Sequence, residues 1–150
     1  MRSTVIRLSV VALALAVVLG CGKGDPDENF RLWSNNEAGW EEMSNFVADQ
    51  GNDLALRVRA IEVLVVEGGQ PSQVIRVTSK AKDQVEVLLG LTPALQKLLS
   101  DPNIKRQGHT KRVLFDMLSV IPDEKKPPIR KMVADWAFEG LSLEDPAGRI

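Results

Sequence analysis

The chain has 150 residues, a formal net charge of −1, one cysteine, one histidine and no tyrosine. The near balance of 19 basic against 20 acidic residues excludes the global basic footprint of a nucleic-acid-binding protein, and the single cysteine excludes an internal disulfide framework. Aliphatic residues cluster in helix-length runs with few strand or hairpin signals, so the expected fold class is all-α.

Arg2 and Arg7 form a short positive region, followed by the uncharged run Leu8–Leu19, interrupted only by Ser9. About a dozen residues fall short of the ~20 needed for a membrane-spanning helix, so the run reads as the apolar part of an export signal. The next residues, Val18-Leu19-Gly20-Cys21, resemble the lipobox of bacterial lipoproteins, in which small or aliphatic residues precede a cysteine that is acylated and becomes the new N-terminus. The resemblance implies cleavage between Gly20 and Cys21, three acyl chains, and membrane attachment through the lipid on Cys21. Gly22 replaces the aspartate that would retain such a protein at the inner membrane, which implies the periplasmic face of the outer membrane. Lipidation also consumes a thiol that would otherwise be unpaired in an exported chain. Loss of Arg2 and Arg7 with the signal takes the basic residues from 19 to 17 against 20 acidic, a formal charge of −3 on the mature chain.

Residues 1–20 are thus expected as signal peptide and residues 21–36 as lipidated cysteine plus flexible tether. Gly22–Asn36 is rich in glycine, acid and amide, contains Pro26 and lacks sustained periodicity. Phe30 and Trp33, spaced i, i+3 within it, either dock back on the body or meet a partner. A first helix is expected over Glu37–Ala48, capped by Asn35 or Asn36, with Trp40, Met43, Phe46 and Val47 on one apolar face. Asp49–Asn52 forms a turn, and Asp53 caps a second helix, Leu54–Val66, closed by Gly68-Gly69 and Pro71. Leu54, Val58, Ile61 and Val65 make one stripe of that helix and Leu56, Ala60 and Val63 another, so it should be central and covered on two faces.

These two helices resemble a HEAT-type repeat: a helix, a short turn carrying Asp49, then a helix in which Arg57 precedes an apolar run containing Ala60 and Leu64. The pattern recurs loosely about fifty residues on. Pro93–Asp101 lies against Glu41–Asp49, and Val113 and Leu114 match Val63 and Leu64, while Gln107 stands in place of the arginine and Thr110 in place of the alanine. The resemblance implies a short HEAT-like α-solenoid of about five to six antiparallel helices over residues 37–141.

Between the two units, a short helix near Ser72–Ser79 and another from Asp83 toward Leu89 are expected, the second interrupted near Gly90 and Thr92-Pro93. A β-hairpin over the β-branched QVIRV and QVEVLL runs is the rival. A long helix from Asn103 or Ile104 to Ile121, the connection Pro122–Pro128 and a last helix Ile129–Phe138 follow. Residues 142–150 are expected to be extended.

Lys105, His109, Arg112 and Asp116 share one polar face of the long helix, and Lys125, Lys126, Arg130 and Lys131 add basic residues nearby. They read either as an anion- or partner-binding surface or as an ordinary solvated face opposite Leu114, Met117, Leu118 and Ile121. His109 has no cysteine or second histidine to complete a metal site, so no metal or cofactor is expected. No serine sits in a nucleophile elbow, and no glycine-rich loop precedes a lysine at phosphate-binding spacing. The sequence therefore reads as a non-catalytic, lipid-anchored envelope module for an unidentified protein partner, a scaffold or assembly factor. The alternatives are a pilotin-like chaperone and an envelope enzyme, the latter by analogy with the HEAT-like bilin lyases.

Overall fold

The computed structural model describes residues 24–139, and over that range the protein is all-helical without a strand. Gly20 and Cys21, and the tail expected over 142–150, lie outside the described residues. Among the described residues no helix is long and apolar enough to cross a membrane.

The first helix, α1 (Pro26–Trp33), occupies the segment expected to be flexible, and that expectation is corrected. Its start has a local cause: Asp25 Oδ1 accepts from the Asp27 amide at 3.0 Å, and Pro26 takes the first helical position. Its persistence has a tertiary cause. Phe30 is 1% exposed and packs against Phe46 with ring centroids 5.2 Å apart, and Trp33 joins the same cluster. The aromatic pair therefore docks on the body.

Helix α2 (Glu37–Ala48) is capped by Asn36, whose Oδ1 accepts from the Gly39 amide at 2.9 Å, and buries Met43 and Val47. Helix α3 (Leu54–Val66) is capped by Asp53 accepting from the Ala55 amide at 2.8 Å. It ends in a left-handed glycine, Gly69 at φ +60°, with the Gln70 amide returned to the Leu64 carbonyl at 3.0 Å. A 3-10 turn (Pro71–Gln73) leads into α4 (Val74–Thr78), and α5 (Gln84–Gly90) is separated from α6 (Thr92–Leu99) by Leu91 alone. The β-branched runs are thus helical. Helix α7 (Ile104–Val120) is capped by Asn103, and α8 (Pro127–Glu139) follows a second 3-10 turn (Asp123–Lys125). The helices outnumber the five to six expected because α1 is ordered and the Gly90–Pro93 break splits one segment in two.

Helix α3 is the hub. It touches α1, α2, α4, α5 and α7. Helix α4 lies beside α2, α5 beside α3, and α1 covers α2 and α3; α7 packs on α6 and α8 and reaches back to α3, α4 and the Pro71–Gln73 turn. Ala60, Ile61, Val63, Leu64 and Val65 are buried, as two-sided coverage requires, but Leu54 and Leu56 are 43% and 40% exposed. Both lie in the first turn of α3, beyond the reach of the neighbours that cover the rest of the helix.

Buried Arg57 fixes the hub. Its Nε donates to the Val47 carbonyl at 2.6 Å, tying α3 to the end of α2, while Nη1 and Nη2 grip the two oxygens of Asp83 at 2.8 and 2.5 Å. This planar, bidentate fit suits a guanidinium in a way no ammonium could reproduce. The Asp83 carboxyl is held below its ordinary range chiefly by the Arg57 hydrogen bonds, against a smaller opposing effect of burial. Asp49 instead accepts from the Gly51 amide at 2.8 Å and closes its own turn.

Candidate functional site

An open groove of about 600 Å³ lies along the exposed flank of α3 next to the C-terminal end of α5. Its floor is apolar: Leu54, Ala55 and Val58 from α3, with Gly90 opposite. Helix α5 approaches this closely because residue 90 has no side chain. A Cβ there would come within 2.7 Å of Val58 Cγ2.

The rim is acidic. Asp53 and Glu62 stand on it with Arg59, and Arg59 is already engaged. Its Nη2 lies 2.5 Å from Asp27 Oδ2 and 3.5 Å from Glu67 Oε1, and its Nη1 lies 3.1 Å from Glu62 Oε1. Arg31 in turn donates to Glu67 at 2.5 Å. Two guanidiniums against three carboxylates leave this network one negative charge in excess. The Asp27 carboxyl is pulled below its ordinary range, first by the hydrogen bond from Arg59, and the Arg59 guanidinium is pushed still higher by its bond to Asp27. The same contacts hold α1 against α3, so the helix that sequence reasoning missed also builds one wall of the groove's charge.

Such a surface offers burial to an apolar side chain and an acidic edge to a neighbouring cation. It has no hydroxyl or thiol beside a base, the arrangement nucleophilic catalysis requires. Among the described residues no group of three or more histidine and carboxylate side chains is placed to hold a metal ion. A second, smaller cavity of about 130 Å³ lies between α6 and α8, lined by Leu99, Met132, Asp135 and Trp136.

The basic residues picked out in the sequence do not converge. Lys105 is exposed near the start of α7, and Arg112 lies about 10 Å further along the axis, its Nε donating to Asp116 at 2.9 Å. His109 is half-buried against the turn that closes α3, its Cε1 lying 3.4 Å from where a Cβ on Gly69 would stand. On α8, Lys131 donates to Asp135 at 2.6 Å, and Arg130 lies 3.9 Å from Asp123. These are separate ion pairs on two helices. The groove, by contrast, was not visible in the sequence, because it exists only once α5 is laid beside α3.

No protein family, no curated protein and no solved structure matches the chain.

Proposed function

We propose that the protein is a non-catalytic, lipid-anchored module of the bacterial cell envelope that captures a protein partner in the α3–α5 groove, held near a membrane by acylated Cys21. The observation that carries the reading is the groove itself: a concave apolar floor of Leu54, Ala55 and Val58 left open beside an acidic rim. The lipobox resemblance of Val18–Cys21 supports the anchor, and Gly22 supports the periplasmic face of the outer membrane.

The scaffold is read as a short HEAT-like stack. Arg57 and Gln107 both occupy the fourth position of their helices, α3 and α7. Each side chain donates to a carbonyl preceding its own helix, Arg57 to that of Val47 in the last turn of α2 at 2.6 Å and Gln107 to that of Asp101 in the connection after α6 at 2.7 Å. The pairing of α4 with α2 and of α5 with α3 supports the same reading.

The test is capture from solubilised membranes with the full-length protein and with Leu54→Glu and Ala55→Glu, both at exposed positions. A partner retained by the wild type and lost from both variants at unchanged melting temperature supports the groove; equal recovery overturns it. Mass spectrometry of the mature N-terminus tests the acylation of Cys21 separately.

A further inference from the structure

The solvent face of α7 is a second surface, distinct from the groove. Ile104 and Phe115 are 50% and 52% exposed on it, with Lys105, Gly108 and Arg112 exposed between them. At about 100° per residue these five and Asp116 fall within roughly 120° of arc, directly opposite the buried Thr110, Val113, Leu114 and Met117. Gly108 is the unexpected member. After proline, glycine is the residue least favourable to a helix interior, and a Cβ at position 108 would meet no atom within 4 Å. Nothing among the described residues requires the missing side chain.

We propose that this face is a self-complementary interface with a second copy of the chain, the two α7 helices packing antiparallel across a two-fold axis that crosses the exposed face midway between Gly108 and Arg112. Such an axis pairs positions equidistant from it, to within one residue. Ile104 then meets the second copy's Phe115, Lys105 meets its Asp116, and Arg112 lies over its Gly108. A closed two-fold makes each of these contacts twice.

The three pairings are chemically different: apolar on apolar, cation on carboxylate, and long side chain over glycine. A single axis satisfies all three, which selects a second copy over an unrelated partner. Lys105 has no ion-pair partner among the described residues. The like charges nearest the axis, the two Arg112 groups, are each offset by their own Asp116, Nε to Oδ2 at 2.9 Å. That bond leaves the other oxygen of the carboxylate for Lys105. Six residues per copy are about a quarter of a standard interface, so the dimer is weak in dilute solution and is favoured where anchoring raises the local concentration.

Sedimentation equilibrium of the full chain in non-ionic detergent, from micromolar to submillimolar concentration, tests the proposal. The wild type should show a concentration-dependent dimer. Gly108→Leu should weaken it by roughly tenfold or more without lowering the melting temperature, since the site is open and leucine favours helix. Lys105→Glu and Asp116→Lys should each weaken dimerisation, and the double exchange should dimerise better than either single variant but below wild type, since Arg112 then lacks its Asp116 partner. A wild type that stays monomeric throughout, a Gly108→Leu variant that dimerises as well as wild type, or a double exchange no better than its single parents would each overturn the proposal.

Discussion

Removal of the Arg57 guanidinium tests the hub of the fold. Arg57→Met keeps most of the buried aliphatic volume but leaves the Val47 carbonyl without its side-chain donor at 2.6 Å and Asp83 without a bidentate partner at 2.8 and 2.5 Å. Breaking a buried ion pair from one side costs about 3–5 kcal/mol. The Asp83 side chain is 25% exposed and can recover some water, so the lower end applies, about 3 kcal/mol. At about 4 °C per kcal/mol for a body of this size, the melting temperature should fall by roughly 12 °C. Urea unfolding followed by circular dichroism gives the free energy directly. Arg57→Lys should recover little, because one ammonium cannot hold both carboxylate oxygens and the carbonyl in that geometry.

Double-mutant cycles then locate the partner. Coupling should be large between positions 57 and 83 and much smaller between 57 and 49, whose carboxylate accepts from the Gly51 amide and acts on Arg57 only through its charge. The pH dependence has a fixed sign. The folded-state Asp83 carboxyl lies below its unfolded value of about 3.9, so its contribution is complete above that pH and is lost as pH falls through the lower, folded value. Wild type should therefore lose stability below about pH 4 more steeply than Arg57→Met. A variant within ~0.5 kcal/mol of wild type, or coupling to Asp49 as strong as to Asp83, would refute the assignment of the hub.

Phe30→Ala should cost about 3–5 kcal/mol in the same urea assay, as a buried aromatic removed from a packed core; a change of a few tenths would mean that α1 does not stabilise the body. Gly39→Ala and Gly108→Ala should diverge. A Cβ at position 39 would sit inside the Trp33 backbone, with Trp33 Cα at 2.6 Å, and destabilise severely, whereas at position 108 it meets nothing and should stabilise by about 1 kcal/mol. Ile61→Asp places an unpaired carboxylate at a position 1% exposed in the central helix and should abolish the cooperative melting transition seen by circular dichroism; unchanged melting would remove α3 from its central role.

The helix starts at Asn36, Asp53 and Asn103 were legible because a cap is a contact between a side chain and an amide two or three residues away. The bounds of α2 and α3 follow from such local signals together with their glycine and turn chemistry. Helix α1 was hidden for the opposite reason. Its apolar residues are too few to show periodicity, and what holds it is distant in sequence: Asp27 on Arg59, and Phe30 on Phe46. Arg57 shows the same divide. That it matters was readable from the pattern of residues around it, but the partner was not, since Asp83 is 26 positions away and competes with the nearer Asp49 only once α5 is in place. The basic residues of α7 and α8 read as two neighbouring clusters, either a binding surface or a solvated face, because charge can be counted along a sequence, whereas ion pairing to Asp116, Asp123 and Asp135 requires coordinates and rotamers.

The helical structure of α1 bears on what the proposed anchor can do. A flexible segment from Cys21 to Glu37 would span at most about 58 Å, but with α1 beginning at Pro26 the chain length between Cys21 and that helix reaches at most about 18 Å. On the proposed lipid attachment, the body is therefore confined near the bilayer and meets partners in that layer instead of searching outward. Inserting ten Gly/Ser residues after Gly24 would add a root-mean-square extension of about 17 Å. Energy transfer from Trp33, Trp40 and Trp136 to dansyl-labelled headgroups in vesicles carrying the acylated protein should be clear in wild type and drop on insertion. Transfer that is absent in wild type, or unaffected by the insertion, would mean that the membrane distance is set by something other than the short connection between Cys21 and α1.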